Sequence, residues 1–296
     1  MELILLKLAS ALNASGYPVD VKDDRLIPLA TKLALLQHTG RYSKLLSDLF
    51  SANNKANLQS LILEATFAFQ FEKVGKLLNY EVRKRSDNET TIDFCRVRPA
   101  DRNLYIEMRL VHQCQWITDH FKQQLEHSDY FGITLDGNED RAETVRLQRL
   151  ILSKVQDENG RPIKFLREDS GSYNIVAVEV SEPHLGMTDH ADCLLVTYGD
   201  PAVSVFERRK LFGLFQEDNP KYPQYIHDIA DQFREFRATV HAVLFLWKEP
   251  SGSPVNFEVE FFLVPNKTLM SANEVTEIEK DFNGALVIRG SKNKNT

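Results

Sequence analysis

Asp93, Glu107 and Arg109 are the residues whose types and spacing could do chemistry. Asp93 lies in TIDFCRV (91–97), and Glu107 and Arg109 lie in LYIEMRLV (104–111). Both runs are rich in β-branched and aromatic residues, so each reads as a strand. Side chains alternate across a strand, so Glu107 and Arg109 point the same way. If the two strands form a hairpin, Asp93 faces that side as well. Glu64 lies on the preceding amphipathic run and can reach the same edge. Carboxylates gathered this way repel one another and take up protons unless a hard cation relieves them.

The order Glu64, then Ile92-Asp93-Phe94, then Ile106-Glu107-Met108-Arg109, on a helix and consecutive strands, resembles the PD-(D/E)XK nuclease superfamily over residues of about 57–157. Gln148, in VRLQRLIL, is similar to a Gln that some members carry on the helix after the core. Two positions depart from the pattern: Ile92 stands where the family has Pro, and Arg109 where it has Lys. The resemblance implies a restriction-endonuclease-like core and a metal-dependent endonuclease acting on nucleic acid, DNA first, of the restriction or anti-phage kind. It implies magnesium or manganese held by Asp93 and Glu107, with the Met108 carbonyl as a third ligand; oxygen donors suit these ions. Such an ion polarises a phosphodiester oxygen and lowers the pKa of an attacking water. Glu64, Arg109 and Gln148 would complete the catalytic set. Arginine keeps its proton, so Arg109 can stabilise charge but not act as a base. A degenerate member would keep the fold as an interaction module, with Arg109 paired to Glu107 or Glu64. The plain alternative is that a Glu-x-Arg in a strand is commonplace and that Asp93, followed by Arg-rich sequence, is one end of a surface ion pair worth about 0–1 kcal/mol.

Basic residues flank this set. Arg83 and Lys84, Arg96, and Arg146 and Arg149 are candidates to contact phosphates; solvated faces of strands and helices are the simpler reading for any one of them. Lys154 belongs to the last of these clusters. The net charge of −6 argues against a coat-like grip on nucleic acid, but not against a local basic groove. His184, Asp189, His190 and Asp192 crowd one stretch without the spacing of a metal site, so helix capping by Asp189 is the simpler reading. There is no Gly-rich phosphate loop and no Gly-x-Ser-x-Gly. Three cysteines, with no Cys-x-x-Cys, do not make a disulfide framework and suit a reducing, cytoplasmic compartment. A signal peptide is not expected from the first residues. No run of roughly 18 apolar residues occurs, so no membrane span is expected. A homodimer or a protein partner stays open.

These residues need a frame. Residues 3–13 read as a helix, and 30–50 as two more separated at Thr39-Gly40. Three- and four-residue apolar steps predict a long helix over 57–79, capped by Asn53 or Asn57. Strands are expected at 80–85, 91–97 and 104–111, with links short enough for antiparallel pairing. A helix at 112–127, a short strand at 130–136 and a helix at 138–157 ending at Gly160 follow. Then come a buried strand at 173–181, a stretch at 191–199 that fits helix or strand, and a helix at 225–238. A hairpin of 240–247 and 257–266 joined by Glu249–Pro254, and a helix at 273–282, complete the chain. The fold class is α/β: a mixed sheet flanked by helices. It divides into a helical region at 1–52, a nuclease-like core at 53–160, and an α/β region at 161–296 that either completes the same sheet or forms a second domain.

Overall fold

A computed structural model describes residues 1–83, 90–98, 102–112, 137–157, 163–165, 171–181, 188–200, 211–222, 224–253 and 255–289. Four helices come first: α1 (Glu2–Ala14), α2 (Ile27–Thr39), α3 (Ser43–Phe50) and α4 (Lys55–Lys73). The strands β1 (Asn79–Val82), β2 (Ile92–Arg96) and β3 (Asn103–Leu110) follow. Next are α5 (Gly137–Leu152), β4 (Ser172–Glu179), α6 (His190–Tyr198), α7 (Gln224–Gln232) and α8 (Arg234–Thr239). β5 (Ala242–Ser253), β6 (Asn256–Pro265), α9 (Ala272–Phe282) and β7 (Val287–Ile288) close the described chain.

Several boundaries correct the sequence reading. The apolar spacing of α4 runs on through Val74, Leu77 and Leu78, yet the helix ends at Lys73. Gly75, at φ +73°, takes the left-handed conformation that stops it, and Lys76 N–H closes back on the Phe71 carbonyl. Val74 and Leu77 are therefore exposed. The cap is Asn54, whose side chain accepts the Asn57 N–H at 2.8 Å; neither Asn53 nor Asn57 caps the helix. The 191–199 stretch is helix α6, started by a capping box between Asp189 and Asp192. The single helix expected at 225–238 is two, α7 and α8. Strand β5 continues through Pro250–Ser253, so most of the expected loop is strand. Helix α5 stops at Leu152, before Gly160. Gly160, Lys84, the helix at 112–127 beyond His112 and the strand at 130–136 lie outside the described residues, as does His184.

Among the described residues the seven strands form one mixed sheet in sequence order. β1, β2 and β3 pair antiparallel, β3 to β4 and β4 to β5 parallel, β5 to β6 antiparallel and β6 to β7 parallel. The 161–296 region thus contributes β4 to β7 to the sheet begun by β1 to β3. β4 is buried along its whole length, as expected of a parallel strand covered on both faces. One face packs Phe94, Ile106, Met108, Ile175 and Leu244 against α1 to α4 and α9. The other packs Val176, Val178, Val243 and Phe245 against Leu147 and Ile151 of α5, Val196 of α6 and Phe236 of α8. Among the described residues no helix is long and apolar enough to cross a membrane.

Candidate functional site

The β2–β3 register sets Phe94 opposite Ile106 and Cys95 opposite Tyr105. One step further brings Asp93 alongside Glu107, and the Met108 N–H donates to Asp93 Oδ2 at 2.7 Å. Glu107 alternates with Ile106 and Met108, which belong to the first core, so it points to the second face. Its side chain is fully buried. A bare carboxylate there would be costly, and two ammonium groups answer it. Lys154 Nζ and Lys164 Nζ both donate to Glu107 Oε1, at 2.8 and 2.5 Å. Glu107 Oε2 is buried with no hydrogen-bond partner.

Glu64 comes from α4, in the layer on the first face. Tyr80 of β1 donates its hydroxyl proton to Glu64 Oε2 at 2.9 Å, and Ser60 donates to Oε1 at 3.2 Å. Burial, then the nearby Asp93 charge, push the Glu64 carboxyl up to about 8, against the opposing hydrogen bonds of Tyr80 and Ser60 and the charge of Lys154. Burial and the Glu107 charge push Asp93 up to about 6; the charges of Lys154 and Lys164 and the Met108 N–H oppose this. Burial, then Glu64, raise the Tyr80 phenol as well. The three acids therefore sit in one electrostatic neighbourhood.

Arg109 lies two residues beyond Glu107 on the same side of β3. Its Nε is buried without a hydrogen-bond partner. The ion pairs of Glu107 are with Lys154 and Lys164 rather than with Arg109. The geometry of a strand accounts for this: side chains two residues apart stand roughly 7 Å from each other and project outward in parallel. The lysines instead reach Glu107 from outside the strand.

Other expected site residues are engaged elsewhere. Gln148, buried on α5, donates from Nε2 to the carbonyls of Val196 and Phe212 at 2.9 and 2.8 Å. It joins α5 to α6 and to the 211–215 segment. Arg96 pairs with Asp281 of α9 at 2.7 Å, beside Arg98, which reaches the same carboxylate at 2.9 Å. Arg146 bonds Glu143 and the His112 carbonyl. Arg83 and Arg149 are exposed. Met108 buries its side chain in the first core. Asp189 and Asp192 serve the α6 capping box, and His190 stacks on Phe262 with centroids 4.2 Å apart.

Lys154, a candidate phosphate contact by sequence, bonds Glu107, and Lys164, Tyr80 and Ser60 join the set without a sequence signal. No motif marks Lys164: it is a single charge between Ile163 and Phe165.

Among the described residues no group of three or more His, Cys, Asp and Glu side chains is gathered as a metal-holding cluster. The donor chemistry at Asp93 and Glu107 nonetheless fits a hard divalent ion. Both are oxygen donors, and Glu107 Oε2 is buried and unbonded. No family model matches the chain, and no curated protein matches it.

Proposed function

We propose that this protein is a divalent-cation-dependent nuclease of the PD-(D/E)XK kind, with a restriction-endonuclease-like core, cleaving phosphodiester bonds of nucleic acid, DNA first, in the cytoplasm. The observation that carries the reading is the alignment of Asp93 and Glu107 on adjacent strands, with Glu64 brought into their field from α4. Asp93 and Glu107 would hold magnesium or manganese, with the Met108 carbonyl as a third donor. When bound, the ion supplies Lewis-acid polarisation and a more acidic water. Glu64 keeps its proton near neutrality, which spares the cluster a third negative charge. Arg109 remains charged and steadies negative charge that develops on the phosphate. Defence against foreign DNA is the setting that the resemblance suggests.

Supercoiled, linear and single-stranded substrates with magnesium or manganese test this. Wild type should cleave at least one of them, and Asp93→Asn and Glu107→Gln should each lose about 100-fold or more in rate. No cleavage of any substrate by wild type would remove the enzymatic reading. A second reading, a catalytically degenerate module that binds nucleic acid or a protein partner, draws on the two lysines that hold Glu107 and on Arg109 in place of Lys. It expects binding without cleavage.

A further inference from the structure

Lys154 and Lys164 crowd their ammonium groups onto one oxygen of Glu107, at 2.8 and 2.5 Å, and leave the other oxygen buried and unbonded. Like charges placed so close repel, and the carboxylate between them is what makes the arrangement tolerable. Their backbones cannot easily withdraw. Val155 and Phe165, the neighbours of the two lysines, are buried in the second core. The Ile163 N–H donates to the Val155 carbonyl at 2.8 Å, tying the two lysine-bearing segments together. Thr90 Oγ1 donates to the Ile163 carbonyl at 2.9 Å and fastens them to the start of β2. Two carboxylates, Asp93 and Glu107, thus face two ammonium groups in a largely buried setting. A divalent ion added to this cluster without loss of an ammonium would leave it two charges in excess.

We propose that Lys154 and Lys164 are functional residues of the centre: they act as a resident counter-charge that competes with the divalent cation for Glu107, so that the cation binds only as an ammonium leaves Oε1. This rests on the reading of Asp93 and Glu107 as cation ligands. A displaced ammonium, still tethered beside the cation, is placed to meet the phosphate of a nucleic acid. The lysines therefore set the cation affinity of the free protein.

The test is manganese affinity, measured by titration calorimetry on the full chain without nucleic acid. Wild type should bind weakly. Lys154→Met and Lys164→Met should each bind about tenfold more tightly, and the double variant more tightly again. Lys154→Arg and Lys164→Arg keep the charge and should stay near wild type. Lys154→Gln and Lys164→Gln keep a hydrogen-bond donor without the charge and carry the same expectation as Met, which covers a Met variant that does not fold. Asp93→Asn in each background should abolish the heat. If wild type binds manganese at Asp93 and the neutral variants bind no more tightly, the lysine proposal falls while the ligand assignment stands. If neither wild type nor any variant binds, the cation reading fails and the lysine proposal with it.

Discussion

At the scale of single residues, Glu64 shows what the site costs the fold. Its carboxyl titrates at about 8 against an ordinary value of 4.5. Between those values the folded protein holds a proton that the unfolded chain has released. Stability from this group is therefore full below about 4.5 and is lost as pH rises through about 8. Asp93, raised to about 6 from 3.8, acts with the same sign over a lower window. Glu64→Gln keeps the shape of the side chain and cannot ionise. Its melting temperature should match wild type near pH 4.5 and exceed it at pH 8, by about 2–4 °C for each kcal/mol recovered. Parallel melting curves for the two proteins across that range would contradict the buried-acid assignment. Glu107 calls for the same choice of variant. Glu107→Ala strands two partly buried ammonium groups and should cost about 3 kcal/mol or more, so Glu107→Gln is the better probe of activity.

At the scale of elements, Arg96 and Gln148 tie helices in place. Asp281 of α9 takes both Arg96 and Arg98, which fastens the β2 end of the sheet to the last helix. Asp281→Asn should destabilise by about 3 kcal/mol, seen in denaturant midpoint, because two poorly exposed guanidinium groups lose their counter-charge. Arg96→Ala should lower stability and leave nucleic-acid affinity unchanged. A loss of affinity without loss of stability would restore Arg96 to the binding surface. Gln148 bridges α5, α6 and the 211–215 segment through two buried carbonyls. Gln148→Leu should cost roughly 2 kcal/mol through unsatisfied acceptors, with manganese affinity unaltered.

At the scale of the molecule, one sheet makes the parts interdependent. β3 carries Glu107 and lies between β2 and β4, pairing with β4 from Asn103 to Leu110. A fragment ending at residue 160 would leave β3 with a bare edge and uncover Ile106 and Met108, which share their core with Ile175, Ala177 and Leu244. Such a fragment should not fold alone; rapid proteolysis and loss of cooperative melting are the expected results. A stable, cooperatively melting 1–160 fragment would show that these residues form an autonomous domain.

The chain alone determined most of the element types, because period and punctuation act locally. The β-rich runs around Asp93 and Glu107 are strands, Thr39-Gly40 separates two helices, and Asp189 caps a helix. The shared side of Asp93 and Glu107 followed from strand alternation once antiparallel pairing was assumed. Helix length was less legible: Val74, Leu77 and Leu78 continue the period of α4, while Gly75 ends the helix. Only the tertiary structure decided what the charged and polar side chains do. Arg96 went to Asp281, Gln148 to two carbonyls, and Glu107 to Lys154 and Lys164, the latter 57 positions away in the chain. A buried carboxylate must find positive charge wherever packing supplies it. Which side chains arrive there depends on how segments distant in sequence lie across the sheet, and no local pattern records that.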